Sequence, residues 1–214
     1  MPFFLPLIFL LALAAITVRH KNVMAAYDIL KPLTTIAIIA LPLIHLFESG
    51  GDFTYTILIG AALVFCLLGD VFLLREKGFV YGLAAFLVGH LVFVIASVYR
   101  IGIQFNPIAG LVVGAIAWGY FRYLKGQELG KYTLPVAVYI LVIALMIVQY
   151  VSAGFTQTES IFTTLAFASV LFGFSDSVIA YTKFVKPLHI GQILILSTYW
   201  LSITLFALSV FHFG

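Results

Sequence analysis

The sequence predicts an all-α membrane protein with eight transmembrane helices, forming a single domain over residues 1–214. Of its residues, 64% are hydrophobic and only 9% are charged, and the mean hydropathy is +1.19. A soluble domain carries about 25% charged residues. The apolar runs approach the roughly 20 residues that an α-helix needs to cross a bilayer. We therefore expect an integral, multi-pass membrane protein without a separate soluble domain.

The breaks between the apolar runs contain charged residues, glycine or proline, which are typical of turns between helices. The break between the second and third spans is the Ser-Gly-Gly-Asp run at 49–52. The first apolar run has no basic segment before it, so we interpret it as a retained helix and not as a signal peptide. Short connections favour packing between consecutive helices. The predicted spans are 2–18, 30–47, 54–74, 79–99, 107–123, 133–151, 161–181 and 188–211.

The basic residues give the predicted orientation. Ten of the eleven follow spans 1, 3, 5 and 7, and only Arg100 falls on the opposite side. Cytoplasmic loops carry an excess of Lys and Arg, so we expect both termini to lie outside the cytoplasm. In a bacterium the host membrane would be the inner (plasma) membrane. The net charge is only +3, and the basic residues are in short loops between apolar runs. They therefore indicate membrane topology and not a surface that binds nucleic acid.

Two carboxylates interrupt the apolar spans, Asp70 in the third and Asp176 in the seventh. On insertion scales a charge at the centre of a membrane helix costs about 2.5–3.5 kcal/mol, so such residues indicate a functional site. Asp70 lies five residues before Arg75, and Asp176 lies seven before Lys183. At 1.5 Å per residue these distances are roughly 7 and 10 Å. Both carboxylates should therefore lie in one layer near the cytoplasmic interface.

Other polar side chains accompany this layer, and we expect them to surround a common cavity. His90 and Tyr199 should lie deeper, with His90 roughly 10 Å below the carboxylates by the same rise per residue. The single cysteine, Cys66, excludes an internal disulfide and a cysteine-based metal site. The polar residues near the depth of the carboxylates are Thr34, Thr35, Tyr139 and Gln192.

Two neighbouring carboxyls suit acid–base chemistry. Burial favours the neutral form of a carboxyl, and a nearby carboxylate favours it further, so one group can donate a proton while the other stays ionised. The alternative is that each Asp is paired with a basic or hydroxyl neighbour and only locks helices together. His90 suits a general acid or base, a metal ligand, or a core histidine bonded to a carbonyl or tyrosine, although the usual zinc spacings are absent.

Basic residues at the cytoplasmic edge are candidates for holding a lipid phosphate. Lys31, Arg75 and Lys183 lie at this edge, and the alternative is that they extend their charged ends to the interface, as the positive-inside rule describes. The segments around Asp70 and Asp176 also resemble each other. Since four spans separate them, they predict a parallel 4+4 repeat about an axis along the membrane normal.

Four short motifs occur in order along the chain: Lys31-Pro32, Gly69-Asp70, Phe79-x-x-Gly82-x-x-x-Phe86-x-x-x-His90, and Ser175-Asp176. Their order, the eight-span layout and the chain length resemble those of the YhhN-like lysoplasmalogenase family. The resemblance covers nearly the whole chain. It implies hydrolysis of the vinyl ether bond of a lysoplasmalogen, which yields a fatty aldehyde and glycerophosphoethanolamine or glycerophosphocholine.

The residues suit that chemistry. A neutral carboxyl can protonate the vinyl carbon, and a carboxylate can stabilise the cation and activate water, by analogy with glycoside hydrolysis. We predict Asp70 and Asp176 as the catalytic pair with His90 in support, and neither a metal nor a cofactor. The expected partners are a lysophospholipid substrate and the bilayer. The predicted substrate-binding residues are Lys31, Arg75, Tyr139, Lys183, Gln192 and Tyr199.

Three other functions are alternatives to this hydrolase. Intramembrane Asp and His side chains carry protons in transporters, and a parallel repeat suits a small proton-coupled transporter. A metal-dependent lipid hydrolase would use His90, Asp70 and Asp176 as ligands. A lipid-binding scaffold without catalysis would not require buried carboxylates.

Overall fold

The computed structural model describes residues 4–48 and 51–213, and all regular secondary structure in this part of the chain is helical. The predicted start of the first span at Pro2 and the Ser49-Gly50 part of the predicted turn lie outside the described residues. Three short 3-10 helices occur at Glu76–Gly78, Gly130–Tyr132 and Ser209–Phe211. The α-helices are α1 (Phe4–His20), α2 (Met24–Glu48), α3 (Phe53–Phe72), α4 (Phe79–Ile101), α5 (Pro107–Lys125), α6 (Thr133–Thr156), α7 (Ser160–Phe184) and α8 (Gly191–Leu208).

The helices agree with an all-α protein that spans a membrane several times. Among the described residues, seven helices are long and apolar enough to cross a bilayer, and α1 is a shorter apolar helix of 17 residues. Such helices satisfy their own backbone hydrogen bonds, as the lipid interior requires.

The start of α2 differs from the prediction. This helix begins at Met24 and includes Lys31 and Pro32, which we expected at the opening of a span beginning at residue 30. The predicted boundary was wrong because it followed polarity, whereas the backbone hydrogen bonding continues through the polar residues Tyr27 and Asp28. Lys31 therefore projects from inside a helix, and its side chain is buried.

Most consecutive helices are neighbours, as short loops require. Helices that are not consecutive also pack together, namely α4 with α6, α2 with α8, α1 with α8 and, less extensively, α3 with α8. The α5 helix packs mainly against α6 and makes little contact with α4. It is also the least buried of the long helices. This arrangement leaves a gap beside α5.

The α3 and α4 helices cross closely at glycines. A Cβ atom added to Gly69 would lie 2.5 Å from the Phe86 ring, and one added to Gly89 would lie 3.2 Å from the Ala62 carbonyl oxygen. Small residues allow membrane helices to approach in this way. Because Gly69 precedes Asp70, the close crossing also fixes the position of that carboxylate.

We expect Gly69→Ala to lower the free energy of unfolding by about 1–3 kcal/mol, as overpacking of a filled core does. The Phe86 ring cannot easily move away, because it is buried and contacts the Phe172 and Tyr199 rings. Thermal unfolding in detergent measures the effect. Gly60→Ala is the control in the same helix, because a Cβ atom there meets nothing within 4 Å. Equal stability of the two variants would contradict the crossing.

Candidate active site

Asp70 lies in the last turn of α3 and joins three helices. Its Oδ1 atom lies 3.2 Å from the Lys31 ammonium of α2. Its Oδ2 atom accepts hydrogen bonds from the hydroxyls of Thr35 on α2, at 2.6 Å, and Tyr199 on α8, at 2.8 Å. We call these four residues, Lys31, Thr35, Asp70 and Tyr199, the Asp70 cluster. Asp70 is thus paired with one basic neighbour and two hydroxyl neighbours, as the helix-locking alternative in the sequence analysis describes.

The polar groups of the Asp70 cluster are well satisfied. Trp200 Nε1 donates to Thr35 Oγ1 at 3.2 Å, so the threonine hydroxyl both accepts and donates. Lys31 Nζ also lies 3.4 Å from the Asp70 carbonyl oxygen. The attraction within a buried ion pair offsets the free-energy cost of desolvation only when further hydrogen bonds satisfy the remaining donors and acceptors of both groups. The hydroxyl of Thr34, by contrast, donates to the Leu30 carbonyl of its own helix.

Asp176, on α7, forms a second cluster with α4 and α6. Its Oδ2 atom accepts a hydrogen bond from the Tyr139 hydroxyl at 2.7 Å. His90 Nε2 lies 3.4 Å from the same oxygen, which is longer than a normal hydrogen bond. We call His90, Tyr139 and Asp176 the Asp176 cluster. All three side chains are buried.

These contacts correct the depths expected for His90 and Tyr199. We expected both side chains deeper in the membrane, with His90 roughly 10 Å below the carboxylates at 1.5 Å per residue. The structure instead places His90 against Asp176 and Tyr199 against Asp70. Counting residues gives distance along a helix axis, whereas helix tilt and long side chains change the depth of the polar group.

Aromatic rings lie between the two clusters. The centre of the Phe172 ring is 4.4 Å from that of His90 and 5.5 Å from that of Tyr199. Asp70 and Asp176 therefore belong to adjacent clusters, and the hydrogen-bonding partners that the described residues give them are different. They do not form a three-ligand centre with His90: among the described residues, no three His, Cys, Asp or Glu side chains are grouped as metal ligands would be.

A cavity of about 400 Å³ opens beside the Asp70 cluster, and we call it the basic cavity. It is lined by α1, α2, α7, α8, the segment after α3 and the first residue of α4, Phe79. Four of the predicted substrate-binding residues line it together, namely Lys31, Arg75, Lys183 and Gln192. Arg75 also pairs with Asp28 at 2.8 Å, and Lys183 Nζ lies 5.2 Å from the centre of the Phe79 ring.

A second cavity of about 360 Å³ lies between α4, α5, α6 and α7, and we call it the apolar cavity. Aliphatic and aromatic side chains form most of its wall, and Asp176 and Tyr139 also line it. Asp70 is not among the described residues lining either cavity. The two cavities adjoin, because Leu73, Phe79 and Ile179 line both of them.

Arg19 and Tyr120 are notable among the lining residues that the sequence did not identify. Arg19 lines the basic cavity, but it appeared only as one of the charges that indicate topology. Tyr120 lines the apolar cavity and donates a hydrogen bond of 2.6 Å to the Ser177 carbonyl across it. Aromatic residues near the ends of spans are usual in membrane helices, so the sequence offers no signal that separates Tyr120 from an interface anchor.

The fold and these clusters define a multi-pass membrane protein with an intramembrane polar site beside cavities of small-ligand size. The chain belongs to the YhhN family, whose sequence profile matches residues 26–210. This match confirms the resemblance identified from the motifs. No solved structure matches the chain.

Curated relatives carry the name lysoplasmalogenase. TMEM86B of Homo sapiens is 32% identical over 164 residues, which cover 75% of this chain and 65% of that protein. TMEM86A of Bos taurus is 33% identical over 156 residues, covering 69% of this chain and 62% of that protein. TMEM86A of Homo sapiens is 35% identical over 155 residues, with the same two coverages. The chain thus spans less than two thirds of the length of these relatives.

We expect Lys31→Gln to lower the free energy of unfolding by about 3–5 kcal/mol, because it leaves the buried Asp70 carboxylate without its charge partner. Arg75→Gln is the control, since it breaks an ion pair in which the arginine side chain is 69% exposed. The control should change stability by less than about 1 kcal/mol. Thermal unfolding in detergent compares the two, and equal losses would contradict the importance of the buried pair.

Proposed function

We propose that this chain is a membrane hydrolase that cleaves the vinyl ether bond of a lysoplasmalogen. The observation that carries the proposal is a buried carboxyl, Asp176, that opens into an apolar cavity adjoining a basic one. The names of the curated relatives point to the same reaction. An acid beside space for a hydrocarbon chain and space for a charged headgroup suits a lipid hydrolase.

The two cavities suit the two ends of a lysolipid. The apolar cavity accepts the hydrocarbon chain, because its wall is mostly aliphatic and aromatic and offers the chain an environment as apolar as the lipid interior. The basic cavity, which Arg75, Lys183 and Gln192 help to line, accepts the charged headgroup. The vinyl ether joins these parts, so it would lie near the shared wall of Leu73, Phe79 and Ile179.

Asp176 in its neutral form would donate a proton to the vinyl carbon that does not bear oxygen. The resulting oxocarbenium ion takes up water and returns a proton to the Asp176 carboxylate. The hemiacetal then breaks its bond to glycerol, releasing the aldehyde and the glycerophospho alcohol. The two observed contacts to Asp176, from Tyr139 and His90, both fall on Oδ2, which leaves Oδ1 for the substrate.

His90 and Asp70 would support this step in different ways. His90 lies beside Asp176 and, in its neutral form, would assist proton movement between the carboxyl and water. Asp70 lies outside the described walls of both cavities, so we assign it an electrostatic and positioning role. Its negative charge favours the cation that forms nearby, and Tyr199 holds its carboxylate in place.

The basic cavity would face the cytoplasm in this proposal. It contains Arg19, Lys31, Arg75 and Lys183, which belong to the side that carries ten of the eleven basic residues. The positive-inside rule assigns that side to the cytoplasm. The headgroup would then enter from the cytoplasmic leaflet, and both termini would lie on the opposite side of the membrane.

The helix contacts support the predicted 4+4 repeat, which we include in the proposal. A shift of four helices relates α3 to α7, α2 to α6, and α4 to α8. The Asp70 cluster joins α3 with α2 and α8, and the Asp176 cluster joins α7 with the equivalent α6 and α4. The packing of α2 on α8 likewise corresponds to that of α4 on α6. A repeat of this kind places two carboxylates in equivalent positions.

The proposed function is tested by incubating the purified protein in detergent with a lysoplasmalogen or with a saturated acyl lysophospholipid. We expect fatty aldehyde from the first lipid and no free fatty acid from the second, because only the vinyl ether accepts a proton on carbon. Detergent abolishes the two compartments that transport needs, so aldehyde release excludes a transporter as the explanation. Free fatty acid without aldehyde would identify an esterase and contradict the proposal.

We expect Asp176→Asn to lower aldehyde release by about 10²–10⁴-fold, the usual contribution of a general acid, because an amide cannot donate the proton. The measurement is the initial rate of aldehyde formation at saturating lipid, with thermal unfolding to verify folding. Glu159→Gln is the matched control, since Glu159 also faces a histidine, His212, at 2.8 Å, but is exposed. An Asp176→Asn variant with near-normal rate would exclude Asp176 as the acid.

A further inference from the structure

The cations that line the basic cavity differ in how fully they are engaged. Arg75 pairs with Asp28 and is largely exposed, and Lys183 lies over the Phe79 ring. Lys31 is buried, and its contacts to two oxygens of Asp70 use at most two of the three ammonium donors. The Arg19 Nε atom is buried and has no hydrogen-bond partner among the described residues. Lys31 and Arg19 therefore keep donors available inside the cavity.

Arg19 is held in place although its Nε atom is unpaired. Its guanidinium carbon lies 5.3 Å from the centre of the Tyr27 ring, and one of its terminal nitrogens lies 3.1 Å from the Met24 sulfur. Both of these neighbours line the basic cavity together with Arg19. An unsatisfied buried donor costs about 1–3 kcal/mol, so the geometry is one that an anionic ligand would complete.

We propose that Arg19 and Lys31 bind the phosphate group of a lysolipid headgroup and make the basic cavity selective for phosphorylated lipids. The planar guanidinium of arginine offers paired donors to phosphate oxygens, and the lysine ammonium adds a compact charge. This inference deepens the proposed function, because it names the substrate group that the cavity recognises. Arg19 precedes residues 26–210, the segment that the family profile matches.

Asp70 is the positioning residue of this phosphate site. Its carboxylate lies 3.2 Å from the Lys31 ammonium and receives hydrogen bonds from Thr35 and Tyr199. Lys31 is thereby held at the wall of the cavity and cannot extend to the interface as a free lysine would. A phosphate that binds there would share the ammonium with Asp70.

Binding experiments test the site separately from the reaction. The probes are a saturated 1-O-alkyl glycerophosphoethanolamine, which has no vinyl bond to cleave, the 1-O-alkylglycerol of the same chain length, and inorganic phosphate. Isothermal titration calorimetry in detergent measures each affinity. We expect the phospholipid to bind at least about tenfold more tightly than the alkylglycerol, since a hydrogen bond to a charged group contributes at least that factor. Inorganic phosphate should compete with the phospholipid, but only weakly.

Arg19→Met should reduce the preference for the phospholipid by about tenfold and leave alkylglycerol binding unchanged. Arg122→Met is the matched control, because Arg122 also lies over an aromatic ring, that of Trp118 at 5.9 Å, but away from the cavity. Lys31→Met combined with Asp70→Asn removes both charges of the buried pair and should also reduce the preference. If the double variant unfolds, the Arg19 result alone decides.

The outcomes separate this inference from the proposed function. Equal binding of the two lipids by the wild-type protein, or a preference that Arg19→Met preserves, would overturn the phosphate site even if aldehyde is released. A preference that depends on Arg19 would support the site even if no aldehyde forms. Tight binding of inorganic phosphate together with no binding of either lipid would overturn the assignment to a lipid headgroup.

Discussion

The charge of one buried carboxylate constrains how α2, α3 and α8 are arranged. Asp70 is almost wholly enclosed by protein, and its ionised form is stable there only with the Lys31 ammonium and two hydroxyl donors around it. Hydrogen-bonded networks of this kind are favourable when complete and costly when incomplete. The three helices must therefore keep one relative position, and the basic cavity beside them takes its shape from that requirement.

The second carboxylate is held under a weaker constraint. The Asp176 carboxyl contacts the Tyr139 hydroxyl at 2.7 Å and His90 Nε2 at 3.4 Å. Neither of these partners is a lysine or an arginine. It also borders an apolar cavity, whereas Asp70 does not. A carboxyl without a fixed cation can gain and lose a proton more readily than one held in an ion pair. In the proposed function, the Asp70 cluster would hold the helices in place and the Asp176 cluster would exchange protons.

The fold class and the helix order could be predicted from hydropathy, because lipid solvent requires long apolar helices whatever their packing. The identities of the polar residues in the clusters, such as Tyr139 and Tyr199, could also be predicted. Their grouping could not be predicted, because depth along a helix does not give the direction in which a side chain projects. Arg19 is the clearest example, because the sequence does not distinguish an arginine in a loop from an arginine that lines a cavity.

The one-sided packing of α5 has a consequence for how products would depart. The outer face of α5, where Leu111 and Trp118 are exposed, would face lipid. On its inner side, a hydrogen bond from Tyr120 joins α5 to α7 across the apolar cavity. A fatty aldehyde would leave sideways past this helix into the hydrocarbon layer. The glycerophospho alcohol would leave through the basic cavity into water. The two products would then occupy different phases, and their recombination would be rare because they no longer meet.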